Sequence, residues 1–497
     1  MATVYSALCF GGRTGKTVTF TDAGDVVNLT AHGLRTGMGV VFSTTGSLPT
    51  GLTAGTTYYA RQGADADKFL LYPTAANAIA GTSQVAFSGT GSGTHTVKSA
   101  WLVGLSDLSR YGSSGSERIY DSLANWRTAR TAATTGFDQE VLEVADPMYA
   151  PMSGTVVITL SPDTLITSMV NGARSAAFHN GKIDSGCVFT CPNSEVVLGT
   201  ATRFDGLSVR ASSSTGLFLQ QVNAVIRNCV FFSSGTRTGT GVTVNGHKCY
   251  VENNIFYGLD EGLLNYGGDQ SICANNLAVK CNYGIRSAYD STANRNAFWF
   301  NNASIGNVTH NWGVEPTSLN GATNNFGAAG DTNPPWAIGA GTTGTVATTD
   351  FVDWANNDFR PAAGSPLIDS GIAYYGIQTL DILGAVRPSY EGGTPTAFDI
   401  GPFEYDHGYG PWPASATISL TSIVSGSRVL ITKASDGTVL YNDVPGTSLS
   451  FSTTHIGDFN VVVRKATASP FYREFNASGT TVADQTTAIK CLQQLDE

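Results

Sequence analysis

The sequence predicts an all-β protein built around a right-handed, single-stranded parallel β-helix, with a small β module before it and a β-sandwich after it. Three observations predict this. Charged residues make up only 13% of the 497 positions, about half the usual share for soluble proteins. Gly (57 residues), Thr, Ser, Ala and Asn take their place, a composition suited to strands joined by tight turns and poor in strong helix formers. Two sequence landmarks then recur together at uneven but matching intervals between about residues 150 and 330. On either side of that region, short alternating apolar runs are separated by Gly, Asp and Pro turns.

The repeat is the strongest of the three. Asn followed by an apolar pair falls at Asn228, Asn254, Asn276 and Asn302, with spacings of 26, 22 and 26. A second landmark, Gly followed by apolar residues, falls at Gly216, Gly241, Gly262 and Gly284, with spacings of 25, 21 and 22. Each repeat reads as one coil of short strands. A lone coil cannot bury its apolar side, so coils stack about 4.8 Å apart and share a core. The four asparagines are expected to form a structural ladder, bonding coil to coil at one turn. The glycines are expected to supply positive φ at a coil corner.

The length predicts two to four domains. Residues 1–16 read as an N-terminal arm. Their Gly11-Gly12-Arg13-Thr14-Gly15-Lys16-Thr17 run looks like a phosphate-binding loop but fails its spacing, because Phe10 stands where the first Gly is needed. Residues 17–100 form the small β module, with strands at Thr17–Thr21, Met38–Phe42, Thr57–Ala60, Phe69–Tyr72 and His95–Val97. Residues 101–409 form the β-helix. It opens with a capping helix whose signal is Ser116 as cap and Ile119, Tyr120, Leu123 and Trp126 at helical spacing. Such a helix would cover the exposed strand edge and core of the first coil. Pro411-Trp412-Pro413 reads as a linker, and residues 410–497 alternate as strands with a hairpin turn at Asp436-Gly437.

Several segments resemble known families. His32-Gly33-Leu34, Gly37, Val40-Val41-Phe42, Leu48-Pro49, Gly55-Thr56-Thr57-Tyr58-Tyr59 and Gly91-Ser92-Gly93-Thr94-His95 resemble a small β module that recurs in phage tail and fibre proteins. Asn357-Asp358-Phe359-Arg360-Pro361, Gly364-Ser365-Pro366-Leu367-Ile368-Asp369, Asp381-Ile382, Arg387-Pro388 and Phe398-Asp399-Ile400-Gly401-Pro402-Phe403-Glu404 resemble the C-terminal segment of right-handed parallel β-helix proteins. There, Arg360 and Arg387 are expected to pair with Asp369, Asp381 or Asp399 and fix a Pro-rich wrap. The last 80 or so residues resemble immunoglobulin-like or transthyretin-like sandwiches. Together these resemblances imply a bacteriophage virion protein of the tailspike or tail-fibre kind. Trimeric assembly, contacts with other virion proteins and contact with host surface polysaccharide follow from the resemblance as expectations.

Candidate chemistry is sparse. Glycoside cleavage needs two carboxylates about 5 to 9.5 Å apart, and acids on neighbouring coils would sit near the short end of that range. Counted from each corner Gly, His247 lies at +6, Asp269 at +7 and Asp290 at +6. These three line one turn edge as catalytic candidates, with Tyr266 and Tyr289 beside them as glycan platforms. Asp, Asn and His are also ordinary turn residues, and the reading without catalysis is preferred. A lyase would want clustered acids holding calcium with a basic residue; Arg286 near Asp290 lacks that cluster. The His pattern gives no zinc motif, there is no nucleophile elbow, and no cofactor or metal is expected. The eight cysteines, Cys9, Cys187, Cys191, Cys229, Cys249, Cys273, Cys281 and Cys491, read as buried thiols.

Net charge is −10, which repels phosphate backbones, so no nucleic-acid partner is expected. No apolar run reaches the roughly 18 residues of a membrane span, and the first residues lack the pattern of a signal peptide. The expectation is a virion component, assembled in the host cytoplasm, serving as tail spike, tail fibre or head fibre without catalysis. A polysaccharide depolymerase (hydrolase or lyase) on the same scaffold and a capsid decoration protein are the alternatives.

Overall fold

One turn of the chain shows how the repeat folds. Val225–Arg227, Val230–Phe232 and Thr240–Val244 are three short strands. Tyr250–Glu252 then pairs in parallel with Val225–Arg227 and starts the next turn. In this computed structural model such turns stack into three parallel sheets, which among the described residues have ten strands (sheet A), eight (sheet B) and seven (sheet C). Ile226, Phe231 and Val242 point inward at 0% exposure, as do their neighbours Val251, Phe256 and Leu263 one coil on. Each such side chain contributes about 1.5–3 kcal/mol by leaving water.

The structure describes residues 3–490 apart from 64, 133–138, 152–155, 159–162, 172, 192–195, 199, 212–214, 221, 234–236, 289–296, 316–321, 324, 329–344, 374–379, 386, 388–389, 392–393, 396, 406–415, 422–426, 434–438, 444–446, 454–456, 466–474 and 482–485. Tyr289, Asp290, the Pro411-Trp412-Pro413 segment, the Asp436-Gly437 turn and Cys491 lie outside the described residues.

The N-terminal residues correct one expectation. Thr3–Leu8 is not a free arm but a strand of sheet A, paired in parallel with Gln139–Val144 on one side and Ile119–Tyr120 on the other. Leu8 and Ala7 are fully buried there. The partner strand lies 136 positions downstream, so nothing local announces the pairing. Between Leu8 and Ile119 the chain leaves the first coil and folds a closed six-stranded barrel of Lys16–Thr21, Val26–Asn28, Lys68–Tyr72, Thr57–Gln62, Gly39–Thr44 and His95–Ser99. Val26–Asn28 was not anticipated. A single buried carboxylate ties the barrel's two connections to the solenoid: Asp146 accepts from the Phe10 N–H at 2.8 Å and from the Ser99 hydroxyl at 2.8 Å. Arg35 of the barrel adds an ion pair to Asp184 at 2.9 Å.

The capping helix spans Leu123–Ala132. Its cap is Ser122, whose Oγ accepts from the Asn125 N–H, and not Ser116. Ile119 and Tyr120, read as helical, form the short strand instead. Their spacing fits a helix, but the edge of the first coil offers them backbone partners. Trp126 is fully buried and donates its indole N–H to Glu140 at 2.9 Å.

The asparagine ladder runs through Asn254, Asn276, Asn302 and Asn325. Each Oδ1 accepts the backbone N–H of the preceding coil: Cys229 to Asn254 (2.9 Å), Asn254 to Asn276 (3.0 Å), Asn276 to Asn302 (3.0 Å) and Asn302 to Asn325 (3.2 Å). Each Nδ2 donates back to a sheet A carbonyl, in turn Ile226, Val251, Cys273 and Trp299. Asn228 is displaced by one position, and Cys229 ends the ladder in its place. Asn228 belongs with Asn253, Asn275 and Asn301, all left-handed at φ 53, 56, 53 and 52°. This is the conformation that Asn adopts most readily after Gly. The corner glycines also differ from expectation. Gly216, Gly241, Gly262 and Gly284 do not have positive φ; they face inward, and a Cβ on Gly241 would come within 2.6 Å of the Gly262 carbonyl. They are small because the coils approach closely there.

The segment after residue 350 folds back along the outside of sheet B. This explains why Val230, Phe232, Ile255, Leu277, Val279, Ala303 and Ile305 are buried although they alternate with core residues. Phe359 lies 5.9 Å from Tyr257, and Ile372 exchanges two backbone–side-chain bonds with Asn301 at 2.9 Å each. The charge pairs that fix this strap are not those expected. Arg387, at 3% exposure, pairs with Glu404 at 3.0 Å and donates to Asn253 and to the carbonyls of Asp399 and Gly401. Arg360 pairs with its neighbour Asp358. Asp381 and Asp399 instead accept backbone N–H groups, from Leu383, Ala385 and Glu404, and from Asp369 and Tyr405.

The second compact unit comprises residues 390–395 and 406–497. Within it a three-stranded and a four-stranded sheet share a core of Ile418, Leu420, Val429, Ile431, Phe459, Val461 and Val463. It is a β-sandwich.

Candidate functional site

Sheet C and the turn that follows it carry the candidate site. Thr240–Val244, Glu261–Asn265 and Tyr283–Ala288 are stacked neighbours, so the turns after them meet edge to edge. His247 and Asp269 do come together: the Asp269 N–H donates to His247 Nδ1 at 3.2 Å, and the Lys248 N–H donates to the Asp269 carbonyl at 2.8 Å. Tyr266 stands beside them with 62% of its surface exposed. The third coil of the candidate set, with Asp290 and Tyr289, cannot be placed against these, as both lie outside the described residues. What the geometry gives is an imidazole used as an acceptor for a neighbouring coil's backbone, and an exposed ring.

A second group lies on the outward face of the same strands. Glu261, Tyr283 and His310 occupy one register row over three consecutive coils. Arg286 pairs with Glu261 at 2.6 Å, and its guanidinium lies 5.2 Å from the Tyr283 ring centroid. The Tyr283 and His310 rings are 5.8 Å apart. One residue before the row, Asn282 donates to Asp260 at 2.7 Å. Sequence reasoning passed over this group because it counted forward from each corner Gly to the turn. The position just before each Gly carries the signal: Thr215, Thr240, Glu261 and Tyr283.

Buried ionisable groups elsewhere serve the fold. Burial pushes the carboxyl of Asp146 up to about 6, opposed by its bonds from Phe10 and Ser99. Burial likewise raises Asp381 to about 6, against the nearby Arg387. Burial and the adjacent Glu404 raise Asp399. His179 is lowered to about 4 by burial and accepts the Gly181 N–H on Nδ1, so it is neutral at pH 7. Cys187, Cys191 and Cys281 are pushed up to about 12 by burial, which makes them inert thiols. Among the described residues no group of three or more His, Cys, Asp or Glu is placed to hold a metal ion.

The fold defines a parallel β-helix protein. No family model matches the chain, and no curated protein matches it. Among solved structures, the crystal structure of pectate lyase Pel9A is similar at 14% identity and a TM-score of 0.27, covering 59% of this chain and 93% of that one.

Proposed function

We propose that this chain is a structural appendage of a bacteriophage virion, a tail spike, tail fibre or head fibre, that attaches the particle to a host surface glycan or to neighbouring virion proteins without catalysis. The observation that carries this reading is how the polar side chains of the solenoid are used. The asparagine ladder bonds coil to coil, Arg387 and Glu404 clamp the strap, and His247 accepts a backbone N–H from the next coil. These are the features of a stiff scaffold. The sequence resemblances of the barrel and strap segments supply the virion context. Copies of the chain are proposed to assemble side by side, as a trimer, through the outer face of sheet A. There Val225, Tyr250, Ile272 and Phe298 form a half-buried apolar row in register.

The test has two parts. Purified chain incubated with bacterial capsule and lipopolysaccharide should release neither new reducing ends nor unsaturated sugars. Antibody against the chain should decorate assembled particles in electron micrographs. Undecorated particles would overturn the virion reading. Released sugars that disappear in an Asp269→Asn variant of unchanged fold would replace it with a depolymerase, the second reading that the contact of His247 with Asp269 and the exposed Tyr266 favours.

A further inference from the structure

We infer that the outward face of sheet C, over the coils carrying Glu261, Tyr283 and His310, binds a hydroxyl-rich oligosaccharide without cleaving it. This rests on the attachment reading above and gives it a site. The three outer faces of the solenoid differ in kind. Sheet B is covered by the chain's own strap, and sheet A presents an apolar row. On sheet C the outward row reads Thr215, Thr240, Glu261, Tyr283, His310 from coil to coil. Small hydroxyl residues give way to an acid and two rings within three coils.

The arrangement suits a sugar for specific reasons. Tyr283 and His310 offer adjacent rings for the C–H face of a pyranose, and both have polar edges for hydroxyl groups. The Arg286–Glu261 pair places a donor fork and an acceptor carboxylate side by side, matching the vicinal hydroxyls of a sugar. Gly313, opposite Arg286 in the register, has no side chain to cover the guanidinium stem. One residue beyond the Glu261–Asn265 strand the exposed Tyr266 presents a third ring, about 17 Å along from Glu261 at roughly 3.3 Å per residue. The face therefore has contacts for several sugar units and not one. Other ligand classes fit less well. A peptide adding as a strand needs an open sheet edge; Glu261–Asn265 and Tyr283–Ala288 are paired on both sides, and a strand added at the His310–Glu315 edge would lie beyond the coils that carry Glu261 and Arg286. A phosphate chain would meet an Arg already neutralised by Glu261 on a protein of net charge −10.

The experiment uses the full chain on a printed array of bacterial capsule and lipopolysaccharide polysaccharides. Tyr283→Ala and Arg286→Lys are compared with Thr19→Ala in the barrel, and each variant's melting curve is checked against the parent. The expected result is binding to at least one glycan that weakens about tenfold or more in Tyr283→Ala and Arg286→Lys and is unchanged in Thr19→Ala. Binding that survives both sheet C variants overturns this site while leaving glycan attachment standing. No binding anywhere on the array overturns the site and glycan attachment together.

Discussion

Replacing Asn276 by Ala tests whether the inner ladder holds the solenoid together. The side chain is fully buried and makes four hydrogen bonds. Nδ2 donates to the Val251 carbonyl at 2.8 Å and to Asn302 Oδ1 at 3.0 Å; Oδ1 accepts from the Asn254 N–H and from Asn254 Nδ2, both at 3.0 Å. Alanine removes all four. The Asn254 side chain keeps its bond to Ile226, and Asn302 Oδ1 keeps the Asn276 N–H. The Asn254 backbone N–H loses its acceptor in a fully buried site. One orphaned buried N–H costs about 1–3 kcal/mol, and the weakened Val251 and Asn254 groups add a similar amount, so the total is about 2–6 kcal/mol. Because the chain has two compact units, the assay must be local. Hydrogen exchange at the amide of Asn254 should speed up by a factor matching that loss, while peptides from Ser427–Lys433 in the sandwich stay unchanged. A loss below about 1 kcal/mol, with the Asn254 amide still protected, would show that the sheets alone carry the stacking and that the ladder is incidental.

Three further perturbations probe other links. Gly241→Ala should prevent the solenoid from folding or cost more than about 3 kcal/mol, since the new methyl would lie 2.6 Å from the Gly262 carbonyl and 2.7 Å from Phe256 Cδ1; soluble yield and circular dichroism report this. Asp146 holds its proton more tightly folded than unfolded, so its contribution is fully present below about pH 4 and is lost as pH rises toward about 6. Asp146→Asn should therefore flatten the fall in stability between those limits, by up to about 3 kcal/mol, in urea titrations at a series of pH values; an unchanged slope would refute the assignment. Ile272→Asp should reduce the solution mass to that of one chain in light scattering if copies pack through sheet A, whereas a parent already of one-chain mass refutes that assembly.

Much of the architecture was legible because a repeat announces itself. Two landmarks with one uneven period located the coils, and five of the six barrel strands followed from alternation. The one-position slip at Asn228 arose because the coil from Asn228 to Asn253 is 25 residues while the next is 22; with corners of varying length, Asn-Cys and Asn-Asn cannot be told apart by spacing. The place of Thr3–Leu8 was hidden because its partners come from strands more than 100 residues away. The charge partners of Arg387 and Arg360 were missed because pairing there depends on how the strap folds back. Of the candidate site, the meeting of His247 with Asp269 was legible from the corner count. The sheet C face was not, because an outward row is visible only once the coils are in register.

The barrel sits inside the first coil, and this sets an order of events during synthesis. Thr3–Leu8 is made before its neighbour at Gln139–Val144, which leaves the ribosome more than a hundred residues later. Until then its partner in sheet A is the two-residue strand Ile119–Tyr120, itself more than a hundred residues downstream. The barrel shortens the wait in space, because once folded it holds the Ser99 N–H against the Phe10 carbonyl at 3.2 Å. A loop of about ninety residues is then closed before the solenoid begins, and its entropy has already been lost. An insertion that completed first would act as a nucleation device, delivering its two connections together as a base from which the stack of coils could grow toward the C-terminus.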